Sequence, residues 1–201
     1  MSDKPTYEDL EKRIEDFSTE NQILRHAEER IIALNDLAEA LLNPGTLNEK
    51  LKFVTDRGVY IFDADFFRIW ITKQGDLCDF GCIHSEVKEG PHLCHIRDRC
   101  LHLIASSGRY THIDGTVHRR VPLGCYKIGR VASGTDSKFI TNDVTHDPRV
   151  HDHEWAKKFG LVSFAGYRLL STTGDRIGVM ALFAKHPISP NGAPRVNPWF
   201  P

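Results

Sequence analysis

The stretch from Thr6 to Leu42 carries no proline or glycine, and this most constrains the fold: thirty-odd residues without a breaker must run as one long helix. Thr6 is placed to cap it, with Asp9 three residues on as a capping-box partner. Tyr7, Ile14 and Asn21 recur at one heptad position, and Leu10, Phe17, Leu24 and Ile31 at the other. That is a coiled-coil seam, and a parallel dimer is expected, because Asn21 satisfies its amide best against its mate and so fixes register. The alternative is a single amphipathic helix lying on a domain. Beyond Glu28 the apolar positions shift to Leu34, Leu37, Ala38 and Leu41, a wider face suited to globular packing. Pro44 and Gly45 are expected to end the helix, the proline for want of a donor and the glycine as a left-handed cap.

The second constraint is chemical. Four of the five cysteines, Cys78, Cys82, Cys94 and Cys100, fall within CDFGCIHSEVKEGPHLCHIRDRC, accompanied by His84, His92 and His95. Thiolates are soft ligands, and four per site is the usual complement of structural zinc or an iron–sulfur cluster. A metal site formed by these four cysteines is the sharper reading. The plainer one is that they are buried thiols, since only the first pair has zinc-finger spacing and no ferredoxin spacing matches. The charged opening MSDKPTYEDLEKR lacks the apolar run of a signal peptide, so a cytoplasmic, reducing setting without structural disulfides is expected.

Lysine and arginine number 26 against 27 acids, a formal charge of -1, which gives no basic field for nucleic acid or an anionic membrane. No apolar run approaches a membrane span. Eleven histidines are a compositional oddity. Three of them, His146, His151 and His153, lie in one polar loop where exposure is the simpler reading, and no HExxH forms because Lys157 takes the last place.

Along the chain, a second helix is predicted from Leu47 to Tyr60 with Leu51, Val54, Val59 and Ile61 on its apolar side. FFRIWIT, from Phe66 to Thr72, reads as a strand. From His95 to Ser106, Ile96, Cys100, Leu103 and Ile104 stand at helical spacing, which predicts a helix there. RYTHI and TVHRRV flank Asp114-Gly115, a strong hairpin signal. Short helices are predicted at Lys127 to Ser133 and Glu154 to Phe159, the latter capped by Gly160. Strands follow at FIT, at Ser163 to Leu170 and at Arg176 to Phe183, the last two joined by TTGD. The tail SPNGAPRVNPWFP is too rich in proline to continue a helix.

This order of elements, with RVPLGCYKIGRVASG, KFITNDVTHDPRVHDHEWAKKFGLVSFAGYRLLS and GDRIGVMALFAKHPIS, resembles a GAF domain. The resemblance implies an α+β, GAF/PAS-like fold: an antiparallel sheet of five or six strands with helices on its faces. The cysteine-rich insertion is similar to that of a GAF subgroup in bacterial and archaeal sensor kinases, where a helical signalling segment precedes the domain. The implied organisation is a coiled-coil helix in residues 1–33, a sensor domain in 34–189 with its insertion at 78–100, and a disordered proline-rich tail in 190–201. Cys125 and Tyr126 would stand at the mouth of the ligand pocket, with Asn142, Asp143, His151 and Phe164 as further ligand-binding candidates. Relatives close with an amphipathic helix after the segment equivalent to HPIS, and here that helix is not expected. No ATP lid, Walker loop or dinucleotide fingerprint suggests kinase output.

Three functions follow. A sensor module would register a redox change, a gas or a small molecule, holding zinc or an iron–sulfur cluster on the four cysteines, or haem in their place, although no CxxCH is present. Its partners would be its own second copy and a histidine kinase or other signalling protein. The resemblance also admits a thiol-dependent enzyme, since one GAF family reduces free methionine sulfoxide, although its catalytic motifs are not matched. The third is a dimerising scaffold with an inert domain.

Overall fold

A computed structural model of the chain describes residues 4–134, 137–150 and 152–188. They form two compact units, residues 4–43 and 44–188.

The first unit is helix α1 (Tyr7–Leu42). Thr6 Oγ1 accepts from Asp9 N at 3.2 Å, and Asp9 Oδ2 accepts from Thr6 N at 2.9 Å, so the expected capping box is formed. The expected glycine cap is not used. Asn43 is already extended at φ -64 and ψ 151, the conformation that a following proline imposes, so the helix ends at Leu42, two residues before Pro44. The seam residues Leu10, Ile14, Phe17, Leu24 and Ile31 are exposed.

The second unit begins with α2 (Leu47–Ile61), which carries the same kind of cap between Thr46 and Glu49. Then come β1 (Phe66–Gln74), β2 (Arg99–Gly108), β3 (Arg120–Val121), α3 (Tyr126–Ser133), β4 (Lys138–Thr141), α4 (His153–Lys158), β5 (Ser163–Leu170) and β6 (Arg176–Ala184). The strands make one antiparallel sheet in the order β3-β2-β1-β6-β5-β4. Adjacent residues alternate faces, so Phe66, Trp70, Phe164, Val179 and Phe183 bury against α3 and α4. Phe67, Ile69, Ala165 and Leu182 bury on the other face, toward Leu51 and Val54 of α2. The contact with α2 is close: a Cβ on Gly58 would lie 2.7 Å from the Phe67 ring.

Two sequence expectations are corrected. Residues 99–108 are a strand, not part of a helix. The register shifts between Ile69, opposite Ala105, and Trp70, opposite Leu103, so one residue of β2 bulges. Leu101 and Leu103 therefore face one core and Ala105 the other, a break in alternation that mimics helical spacing. The Asp114-Gly115 hairpin does not form either. After Gly108, at φ +90, the chain turns so that the Tyr110 ring packs edge-on against Phe66 (5.3 Å) and Phe159 (5.9 Å). With Tyr110 held half-buried against the core, RYTHI stays out of the sheet, and only Arg120–Val121 joins β2. The proline-rich tail and the place of a closing helix lie outside the described residues.

Candidate functional site

Between the sheet and the α3 and α4 layer lies a cavity of about 40 Å³, lined by Arg68, Trp70, Val117, His118, Val121, Tyr126, Lys127, Ile128, Asp152, Trp155 and Phe183. Its roof is α3, which approaches closely because Gly129 has no side chain: a Cβ there would meet the Pro122 carbonyl oxygen at 2.0 Å. Trp70, Trp155 and Phe183 give the wall an aromatic part, beside Val117 and Val121. Phe66 stacks on Phe183 with centroids 4.6 Å apart, and Trp155 meets Phe183 edge-on at 5.6 Å. Trp70 is buried, with Nε1–H donating to His118 O at 2.9 Å.

Two cations are buried here. Lys127 is 6% exposed, and its Nζ lies 5.0 Å from the Phe183 centroid and 5.4 Å from that of Phe164. Among the described residues it has no hydrogen bond or ion pair, and burial pulls its pKa down to about 8. Arg68, 3% exposed, sits over the rings of Phe66 and Tyr110 and donates from Nε to Ser106 Oγ at 3.2 Å. Burial lowers its pKa to about 10, so it stays charged at neutral pH.

Tyr126 connects the cavity to the cysteine-rich segment. It is a non-glycine residue at φ 51, a left-handed conformation that needs support from its surroundings. The support comes from that segment. His92 stacks on the Tyr126 ring at 4.1 Å and accepts its backbone N–H at Nδ1, while His84 Nδ1 and the Tyr126 hydroxyl are hydrogen-bonded at 3.2 Å. Burial lowers the pKa of both histidines and so favours the neutral imidazoles. Next to Tyr126, the Cys125 thiol is buried and donates to Leu93 O at 3.5 Å.

The cysteines are free thiols. Cys78 and Cys82 are half-buried, and Cys94 and Cys100 are buried. A charge on Cys78 or Cys82 would raise the pKa of both Cys94 and Cys100, so the four stand as electrostatic neighbours. Burial is the larger cause, and it pushes Cys100 up to about 12. As they stand, no three His, Cys, Asp or Glu side chains among the described residues have an arrangement that could hold a metal ion. The donors suit a soft metal, but their ligand geometry is not closed.

The other candidates are dispersed. Tyr126 lines the cavity, and Phe164 lies behind Lys127. The Asn142 amide is engaged at both ends, accepting from Ile188 N and donating to Ile188 O at 2.8 Å each. Asp143 is exposed and hydrogen-bonded to His146 at 2.7 Å. His153 Nε2 contacts Asp147 O at 2.9 Å, and His151 lies outside the described residues. The buried cations Arg68 and Lys127, with Trp155, were not identified from sequence. The available signal was an arginine in the middle of the apolar run FFRIWIT, since arginine is seldom fully buried without a partner.

Six antiparallel strands, with α2 on one face and α3 and α4 on the other, define an α+β architecture. This is the GAF fold. The chain is similar to the GAF domain of a phosphoenolpyruvate-protein phosphotransferase (ptsP) from Coxiella burnetii, at 15% identity and TM-score 0.58, covering 83% of this chain and 84% of that one. It is also similar to a putative GAF sensor protein from Burkholderia vietnamiensis, at 14% identity and TM-score 0.54, with 80% of each chain covered. A third similar structure is free methionine-R-sulfoxide reductase from Neisseria meningitidis in complex with its substrate, at 16% identity and TM-score 0.52, covering 77% of this chain and 72% of that one. No protein-family model matches the sequence, and no curated protein matches it significantly. No helix among the described residues is long and apolar enough to cross a membrane.

Proposed function

We propose that the chain is a cytoplasmic sensor module in which the cavity takes a small ligand and the cysteine-rich segment forms its regulated cover. The observation that carries this reading is the clasp on Tyr126: one residue lines the cavity while its ring and backbone N–H are held by His84 and His92. A change in the segment that moved either histidine would release a strained backbone position in the cavity wall. In this reading Cys78, Cys82, Cys94 and Cys100 hold zinc or an iron–sulfur cluster. Metal must displace the thiol protons, so burial of Cys94 and Cys100 makes loading release protons and depend on pH. The response passes to α1, which pairs through its exposed seam with a second copy and reports to a histidine kinase or another signalling partner.

A reductase reading finds less support. Attack on a sulfoxide needs an accessible thiolate, and Cys94, Cys100 and Cys125 are buried with raised pKa values, which leaves that chemistry to the half-buried Cys78 and Cys82 alone. The test is metal content, acid-labile sulfide and visible spectrum of protein purified without oxygen, beside Cys94→Ala and Cys100→Ala. Each variant should lose the metal, since removing one thiolate of four opens the site. Metal-free wild type, or variants with full metal content, would overturn the metal site.

A further inference from the structure

Resting on the reading of the cavity as a ligand site, we infer that its ligand is a small anion, a short aliphatic carboxylate, held between Lys127 and Arg68. The inference starts from an imbalance of charge. Each cation belongs to a different element, Arg68 to β1 and Lys127 to α3, and the two lie against the stacked pair Phe66 and Phe183, 5.1 Å and 5.0 Å from the respective ring centroids. Each therefore raises the electrostatic cost of the other. Burying an ammonium without a hydrogen-bonded partner is among the costlier arrangements in a protein interior, and the rings offset only part of it.

The carboxylate in the cavity lining does not resolve the imbalance. Asp152 is exposed at the rim, where its Oδ1 caps α4 by accepting Trp155 N–H at 3.0 Å, and it makes no ion pair with Lys127 among the described residues. Other polar groups are already engaged: Trp70 Nε1–H with His118 O, and the Tyr126 hydroxyl with His84. The two buried charged groups of the lining, the Lys127 ammonium and the N–H groups of Arg68 beyond Nε, are donors, and the exposed Asp152 carboxylate acts on Lys127 less strongly than burial does. A group that satisfies donors on two sides must be an acceptor, and one that relieves two buried charges must be an anion.

Size and wall chemistry narrow the class. Room for about three water-sized groups fits a carboxylate with a methyl or ethyl tail. The tail would meet Trp70, Trp155 and Phe183.

The experiment is calorimetric titration of the full chain at pH 7 with acetate and propionate, and with their neutral isosteres acetamide and propionamide. Fluorescence is read in parallel, because Trp70 and Trp155 both line the cavity. The carboxylates should bind and the amides should not. Lys127→Met should weaken propionate by about thirtyfold or more, the usual loss when one partner of a buried charge pair is truncated. Should that variant fail to fold, the contrast between acid and amide in wild type decides the matter. If the amides bind as well as the acids, or if Lys127→Met binds propionate undiminished, the anion assignment is wrong while the cavity stays a ligand site. If neither acids nor amides bind or change the fluorescence, the cavity reading falls with it.

Discussion

Replacing Lys127 with methionine should make the ligand-free protein more stable. The ammonium is 6% exposed and among the described residues has no hydrogen bond or ion pair, and its pKa falls from 10.5 to about 8. At about 1.4 kcal/mol per tenfold, the fold disfavours the charged form by about 3 kcal/mol at neutral pH. The two rings under Nζ return about 1–2 kcal/mol. Methionine, of similar length and with a polarizable sulfur, keeps roughly half of that against the same rings. Desolvation therefore wins, and a net gain of about 2 kcal/mol is expected at pH 7. The pH dependence follows from the depressed pKa. Between about pH 8 and 10.5 the unfolded chain binds more protons than the folded one, so wild type gains stability as pH rises through that window. Methionine has no such response, and the advantage of the variant should shrink by about 2 kcal/mol by about pH 9.5. Arg68, whose own pKa is lowered to about 10, begins to lose its proton only toward the top of that window and does so in both proteins, so the comparison at pH 7 and about pH 9.5 still reports on Lys127. Urea unfolding followed by tryptophan fluorescence at both pH values measures it. A variant less stable than wild type at pH 7, or a difference that does not change with pH, would show that Lys127 is satisfied and would remove the charge imbalance from which the ligand class was inferred.

Two further outcomes are expected. Gly129→Ala places a Cβ 2.0 Å from the Pro122 carbonyl oxygen, a backbone atom that cannot rotate away, so thermal unfolding should show a loss of about 3 kcal/mol or more. A Tm within a degree or two of wild type would mean that α3 does not approach the loop before it so closely. Sedimentation at micromolar concentration should give a parallel dimer through the Leu10, Phe17, Leu24 and Ile31 seam, and Asn21→Leu should change its association state or register. A clean monomer would refute that pairing.

Much of the fold is written in local pattern. Strands β5 and β6 and the turn between them were legible because apolar residues recur in sheet-like runs around TTGD, α1 because a threonine cap precedes an unbroken helical stretch, and α2 because Leu51, Val54, Val59 and Ile61 mark an apolar side. These are short-range preferences that the chain satisfies whatever else it does. Strand β2 was misread because its bulge disrupts the period of two, and that bulge exists only where β1 offers Ile69 and Trp70 as partners. The hairpin signal lost to the burial of Tyr110, whose neighbours Phe66 and Phe159 come from elements far apart in sequence. The thiols of the cysteine-rich segment could be read as a ligand set, but their attachment to α3 through His84, His92 and Tyr126 could not. The same holds for the cavity. Nothing along the chain ties Arg68 to Lys127, because charges interact across space and desolvation depends on what covers them. Packing α3 over the sheet brings both cations to one cluster of rings and leaves the ammonium, among the described residues, without a hydrogen bond or ion pair.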